Sequence, residues 1–501
     1  MFGRRTVKAR LSGWLRPLAL LVVAGLLGPA LAGCFQEPGG GDSTRADFVG
    51  IILARGDGRT AGELARFEHA FLRHAEPPHD SRQLKHFRDV LSRVQSSYVH
   101  PVSEAALIDA AIAGMAAAAG ESGRLPADRA MRAALDAMTA SLDPHSDYLD
   151  PEELRDLEVV TTGEFGGMGI QVTMEDGMVK VVAPIEGTPA DRAGLRAGDL
   201  ITRVDGSPIA GMTLSQAIQA MRGAPGSRVR LTVERPGRGA FEVAITRAVI
   251  TVQPVRWATH GDIGYLRIVA FNERTADGVA DAMAAMQHAL GGRMSGLVMD
   301  LRSNPGGLFD QSYKVSDAFL DSGLIVSIRG RDSERAQIYR ARRGDLARGL
   351  PIVVLVDGGS ASASEIVAGA LQDNGRATVM GTPSFGKGSV QMVMMLPEGG
   401  GLKLTTALYY TPAGHAIQAR GVVPDIMLTG MDDIYDNFRE RAIPGALPGA
   451  GADDHRWQTR IDVSSCPQVD ADDRQLGCAI GLLDAGSLER FLSSAEPASA
   501  G

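Results

Sequence analysis

Two stretches of the chain hold the residues best suited to chemistry. In VVLVDGGSASASEI, residues 353–366, a hydrophobic run passes through Gly358 and Gly359 into three serines, Ser360, Ser362 and Ser364. A small residue on a sharp strand-to-helix turn exposes its hydroxyl while the helix N-terminus stabilises developing negative charge. In GTPSFGKGS, residues 381–389, a single lysine is embedded among glycines. Gly381, Gly386 and Lys387 match the register of a phosphate-binding loop, but that loop needs a hydroxyl after the lysine and a helix starting there. Gly388 takes the hydroxyl's place, and the following SVQMVMMLPEGG is rich in β-formers and ends in a turn, so it reads as a strand. The nucleotide reading is set aside, and Lys387 needs another role.

A serine nucleophile needs a base, and none of the ten histidines lies near these motifs. A lysine can serve only when neutral. From a reference pKa near ~10.4 it is almost wholly charged at neutral pH, but burial lowers that value by roughly 3–5 units. Lys387 is flanked by Phe385, Gly386, Gly388 and Val390 between two β-segments, a setting that can desolvate its ammonium. A third stretch, Asp300-Leu301-Arg302-Ser303-Asn304-Pro305-Gly306-Gly307, ends a buried strand with glycines that leave backbone amides uncovered. Spacing alone does not choose among the three serines, and any of them could simply cap the helix, since Ser is a favoured N-cap.

The elements that position these residues follow from the rest of the chain. Its 501 residues suggest three or four domains at about 150 residues each. A net charge of -8 with scattered basic residues shows no electrostatic footprint for nucleic acid. Arg4, Arg5, Lys8, Arg10 and Arg16 lead into LALLVVAGLLGPALAG, too short to span a bilayer and read as a secretory signal. The run ends at Cys34 in a sequence resembling the bacterial lipobox, where the cysteine is acylated. Residues 35–61 then read as a flexible tether. Cys466 and Cys478 are the other two cysteines, and export would permit a disulfide between them, with two free thiols as the alternative. No metal-ligand spacing is present and no cofactor is expected.

Residues 62–160 show helical spacing in HFRDVLSRVQSSYV and EAALIDAAIAGMAAAAG, and LDPHSDYLDPEEL reads as a turn capping another helix. A mere spacer is the alternative. Residues 161–248 are short strands and tight turns with one amphipathic helix at TLSQAIQAMRG. From 249 to 428 strands and helices alternate, as in an α/β layered domain. Residues 429–501 form a tail without an assigned role.

The phrase ADRAGLRAGDLITRVDG resembles PDZ domains. Gly167, Met168, Gly169 and Ile170 stand where that family has its carboxylate-binding loop, with Gln171 and Val172 on the groove-edge strand. Such a groove takes an extended peptide by β-augmentation. From about residue 80 to 428, the order LDPHSDYL, PDZ segment, DLRSNPGG, SASASEI, FGKGSVQ and LKLTTALYYTPAGHAIQARGVVPD is similar to the carboxyl-terminal processing, or tail-specific, serine proteases of peptidase family S41.

That resemblance implies a multidomain α+β protein: a helical N-terminal segment, a PDZ domain and an α/β protease core of the ClpP/crotonase-like type. It implies Ser362 as nucleophile, Lys387 as general base and Gln391 orienting the lysine. The oxyanion hole would use the Ala363 amide with Gly306 or Gly307. Asp373 and Glu365 match acidic positions of structural or supporting character. His415 stands where relatives commonly carry Arg or another polar residue. The expected protein is a periplasmic, lipid-anchored endopeptidase, at the outer rather than the inner membrane, acting on C-terminal tails of unfolded envelope proteins. An adaptor lipoprotein and a homodimer paired through the helical segment are the further partners considered. The alternative function is a non-catalytic PDZ scaffold.

Overall fold

The computed structural model describes residues 58–495 other than 79–80, 176, 186, 213, 236, 333–334, 432–438, 450–458 and 470–472. Cys34, the apolar run before it and most of the tether lie outside the described residues. Among the described residues no helix is long and apolar enough to cross a membrane.

The N-terminal segment is built from helices Gly58–His74, Ser81–Ser97, Glu104–Ala119 and Ala127–Ala140. In the second of these, Phe87, Val90, Leu91 and Val94 are buried, the i, i+3, i+4, i+7 stripe of a helix that covers a core. This core also takes in Leu402, Leu404 and Leu408 from strand Gly401–Tyr410. The helices are therefore packed onto the protease core, which rules out the spacer reading. Helix Pro151–Thr162 begins at Asp150, whose carboxylate accepts from the Glu152 and Glu153 amides at 2.8 and 2.9 Å. Glu153 returns the bond to the Asp150 amide, completing a capping box.

The PDZ-like unit has strands Ile170–Glu175, Met178–Pro184, Leu200–Val204, Arg228–Arg235 and Gly239–Thr246 around a core of Val179, Val181, Ile201, Leu231 and Val233. Strand Ile170–Glu175 pairs on one side only and lies at the sheet edge. A ribbon of Glu164–Gly167 with Ala248–Thr251 closes the unit at its base. Gly167 is thus a strand residue paired with Ala248, and the loop before the edge strand is Met168–Gly169. This corrects the four-residue loop expected from sequence; the ladder bonds of the ribbon claim Gly167.

The protease core holds a seven-stranded sheet. Its order is Val255–His260, Ile263–Ile268, Gly296–Asp300, Ile352–Val356, Thr378–Gly381, Ile426–Thr429 and Thr459–Asp462. All neighbours run parallel except the first pair. Gly296–Asp300 and Ile352–Val356 are buried at every residue, as central parallel strands are. A second sheet joins Gln337–Arg340, Leu324–Gly330, Gly401–Tyr410 and Ser389–Met395. Helix Ala363–Asp373 is buried from Ala363 to Leu371 in the core that includes residues of both sheets.

The tail has a structural role that its sequence did not disclose. Thr459–Asp462 is the seventh strand, and helix Arg474–Ala485 lays Leu476, Ala479, Ile480 and Leu482 on a core with Val298, Val353 and Leu355. A disulfide joins Cys478 of this helix to Cys466. The divisions expected at 61/62, 160/161, 248/249 and 428/429 cut through helix Gly58–His74, helix Pro151–Thr162, strand Ala248–Thr251 and strand Ile426–Thr429. Composition changes mark domains but not the continuous elements that join them.

Candidate active site

Ser362 stands at the turn between strand Ile352–Val356 and helix Ala363–Asp373. Its φ of 54° and ψ of -107° place a non-glycine residue in sparsely populated backbone space, a cost of about 1–3 kcal/mol that surrounding contacts must offset. Those contacts come from Glu365, one turn into the helix and fully buried. Its Oε2 accepts from the Ser362 amide at 2.6 Å and the Lys387 amide at 2.9 Å. Its Oε1 accepts from the Ser384 hydroxyl at 2.6 Å and the Gly386 amide at 2.7 Å. One carboxylate thereby ties the backbone of the serine turn to that of the lysine loop. The Phe385 amide adds a second tie to the Ser360 carbonyl at 3.0 Å.

The three serines now separate by what they bond. Ser360 donates to the Leu301 carbonyl at 2.8 Å and Ser364 to the Asn304 carbonyl at 2.9 Å, so both are structural. Ser362 Oγ is buried with no hydrogen-bond partner among the described residues. It is the one serine of the three whose hydroxyl is uncommitted.

Lys387 is 5% exposed and makes no ion pair among the described residues. Burial first, then the Lys403 ammonium, pushes its pKa down to about 8, while Glu440, Asp143 and Glu365 pull the other way. Burial also pushes the Glu365 carboxyl up to about 7 against its hydrogen-bond donors. Ser389–Met395 is a strand, as the residues after Lys387 suggested, so no helix begins there to cradle phosphate. Gly388 is glycine for packing: a Cβ there would lie 2.2 Å from the Gln418 amide nitrogen.

Gln391 Nε2 donates to Thr405 Oγ1 at 3.2 Å, and Thr405 donates to Asp143 at 3.0 Å. Gln391 Oε1 is buried and unpaired. Asp143 and Ser146 of LDPHSDYL therefore stand behind Gln391, with the Ser146 hydroxyl donating to Asp143 at 2.7 Å. The sequence showed this motif but not its destination.

On the other side, the DLRSNPGG loop reaches Ser362 through Gly306. A Cβ on Gly306 would come 3.1 Å from Ser362 Cβ and 3.1 Å from the Ala363 amide nitrogen. A Cβ on Gly307 would fall 1.9 Å from the Phe271 carbonyl oxygen. The Gly306 amide already donates to Asn304 Oδ1 at 2.9 Å, whereas the Gly307 and Ala363 amides have no acceptor among the described residues. The Ala363 amide, on the residue after Ser362, and the Gly307 amide, on the residue after Gly306, are uncommitted donors of the kind an oxyanion hole requires.

Not every candidate converges here. Asp373 lies at the far end of its 11-residue helix, about 16 Å along the axis from Ser362 at ~1.5 Å per residue, and accepts from the Ala413 amide. It supports the 411–414 turn and is no third member of the site. His415 bonds Arg420 at 3.2 Å in the same region. Residues missed from sequence are Asp143, Lys403, Thr405, Gln418 and Glu440, because each reaches the site only through tertiary contact. In the PDZ-like unit, the Met168 and Gly169 carbonyls are pinned by the Ala190 and Ile185 amides at 2.8 and 2.9 Å. Half-buried Ile170 and Val172 on the edge strand, with Leu214 and Ile218 on helix Leu214–Met221, border its core.

The model of peptidase family S41 matches residues 262–428, and a PDZ domain model matches 180–235. The chain is 47% identical over 349 residues to a carboxy-terminal-processing protease of Bartonella bacilliformis, covering 69% of this chain and 75% of that protein. It is 36% identical over 304 residues to a "probable CtpA-like serine protease" of Staphylococcus aureus, covering 60% of each. A solved photosystem II D1 C-terminal processing protease is 32% identical, with 71% of this chain and 94% of that one covered and a TM-score of 0.43. The chain belongs to the carboxy-terminal processing serine proteases of peptidase family S41.

Proposed function

We propose that this serine peptidase cleaves with a Ser362–Lys387 dyad and selects substrates by their free C-terminus. The observation that carries the reading is the Glu365 carboxylate joining the backbone of an uncommitted serine to that of a buried lysine. Neutral Lys387 takes the Ser362 Oγ proton as the oxygen attacks the scissile carbonyl. The amides of Gly307 and Ala363 hold the oxyanion, and the lysine returns the proton to the leaving amine. Water then hydrolyses the acyl-enzyme. Gln391 Oε1, which is unpaired, orients the lysine amine.

The PDZ-like unit receives the tail. An extended peptide adds to the open edge of Ile170–Glu175, its carboxylate meets the Met168–Gly169 loop, and its apolar end lies between Ile170, Val172, Leu214 and Ile218. Acylation of Cys34 anchors the enzyme to the envelope facing the periplasm, with loosely folded envelope proteins as substrates.

The test is an unfolded reporter ending in an apolar free C-terminus, with products read by mass spectrometry beside Ser362→Ala and Lys387→Ala. Either substitution should lower cleavage by about 10⁴-fold or more. Cleavage at native rate in Lys387→Ala would sink the dyad. Equal cleavage of a reporter with a charged tail would sink tail selection.

A further inference from the structure

Glu365 is not the only carboxylate that holds the Lys387 loop, and the second lies outside the matched family segment. That second carboxylate is Glu440, in the single turn Glu440–Ala442, beyond residue 428 and fully buried. Its carboxylate accepts from His145 Nε2 at 3.0 and 2.8 Å and from Gln418 Nε2 at 2.8 Å. An ionised carboxylate only accepts, so His145 Nε2 carries the proton. Gln418 passes the contact on, since its Oε1 accepts from the Gly388 amide at 3.0 Å. The Glu440 amide itself donates to the Phe385 carbonyl at 3.1 Å, and the Ala419 amide donates to the Gly386 carbonyl at 2.8 Å. One end of Phe385–Gly388 is thus held directly, and the other through Gln418, by a residue 53 positions past the lysine.

We propose that Glu440, acting through Gln418 and the Phe385–Gly388 backbone with His145 as its partly buried donor, is a positioning residue for Lys387. This rests on Lys387 being the base. A buried carboxylate facing that amine also bears on its proton. Four charged groups face Lys387: Lys403 from strand Gly401–Tyr410, Asp143 from the turn before strand Asp147–Leu149, Glu365 from its helix, and Glu440. Lys403 favours the neutral amine and the three carboxylates favour the ammonium. Glu440 itself faces His145 and Lys387 and is flanked by Arg439 and Arg441.

Two consequences follow for Glu440→Gln. The side chain keeps one acceptor but loses its charge, so the amine loses its proton more readily. The loop also loosens, which lowers the rate once the amine is neutral, because small misplacements of a catalytic group are costly.

The experiment is the pH dependence of Ser362 acylation by a serine-directed fluorophosphonate in the full-length protein, for native, Glu440→Gln, His145→Asn and Lys387→Ala, with thermal stability recorded for each. Glu440→Gln should move the acid limb down by about half a pH unit or more, and lower the plateau rate about tenfold. His145→Asn should lower the plateau about threefold. It serves as the deciding variant should Glu440→Gln fail to fold. An unmoved limb with a plateau within twofold of native, in a protein where Lys387→Ala abolishes acylation, would overturn the proposal alone. Acylation of Lys387→Ala at the native rate, or none in the native protein, would overturn the dyad and the proposal together.

Discussion

Two buried carboxylates in the protease core, Asp300 and Glu365, are driven in opposite directions. Asp300 accepts from Arg267 at 2.7 Å, from Arg302 at 3.0 and 2.6 Å, and from the Tyr265 hydroxyl at 2.7 Å. Burial alone would raise it, but the Arg302 and Arg267 guanidinium groups overcome that and hold its pKa at about 2. Glu365 is as deeply buried and accepts four bonds where Asp300, counting the Arg302 amide at 2.9 Å, accepts five, yet every donor to Glu365 is a neutral amide or hydroxyl, and its pKa stands at about 7. Charge partners, not bond count, separate them. The DLRSNPGG side of the site is locked by permanent charge, while Lys387 makes no ion pair among the described residues and is pushed down chiefly by burial, which favours a neutral base at moderate pH.

The largest effect should come from unlocking the charged side. Asp300→Asn leaves two guanidinium groups without their carboxylate and should cost about 3–5 kcal/mol, read as a fall in the urea midpoint. A change under about 1 kcal/mol would mean that Asp473, which pairs with Arg302 at 2.9 and 2.8 Å, carries the cluster instead.

Glu365→Gln should cost less stability, about 1–3 kcal/mol, because it strands neutral donors and not charges. Its effect on acylation should exceed its effect on folding, since the bonds it loses join Ser362 to Lys387. Proportionate losses in both would reduce Glu365 to a fold residue.

Activity and stability should also answer pH differently. Acylation should rise with pH as Lys387 loses its proton near about 8, and a profile flat from pH 6 to 9 would refute the depressed lysine. The Asp300 pKa is depressed when folded, so its contribution is present above about 3.8 and lost as pH falls through about 2. The Glu365 pKa is raised when folded, so its contribution is full below about 4.5 and lost as pH rises through about 7. Thermal denaturation across pH 4.5–7 should therefore slope less in Glu365→Gln than in the native protein, and an identical slope would refute the raised carboxyl.

The smallest effect belongs to Asp473→Asn. Asp473 caps helix Arg474–Ala485 by accepting from the Leu476 amide at 3.0 Å, and its side chain is 31% exposed. About 1 kcal/mol is expected. A loss as large as that of Asp300→Asn would make the tail an equal partner in the lock.

Much of this protein was legible from order and spacing. Helices Ser81–Ser97 and Thr275–Ala289 announce themselves by apolar residues three and four apart, and Gly296–Asp300 and Ile352–Val356 by unbroken hydrophobic runs between glycines. The motif around Ser362 and Lys387 was visible for the same reason: its residues are close in sequence and their types are unusual. The strand Thr459–Asp462 was not, because TRID is four residues long and draws its stability from pairing with Ile426–Thr429.

What the sequence determined alone is local: which segments favour helix or strand, which turns need glycine, and which side chains carry a reactive group. What only the tertiary structure decided is which of those groups are uncommitted. Ser360 and Ser364 are spent on the Leu301 and Asn304 carbonyls and Ser362 is not, a distinction set by residues some sixty positions away. Glu440 meets His145 across 295 residues. Propensity acts between neighbours in the chain, but desolvation and hydrogen bonding act between neighbours in space, so the reactive state of a side chain is written only once the chain has folded.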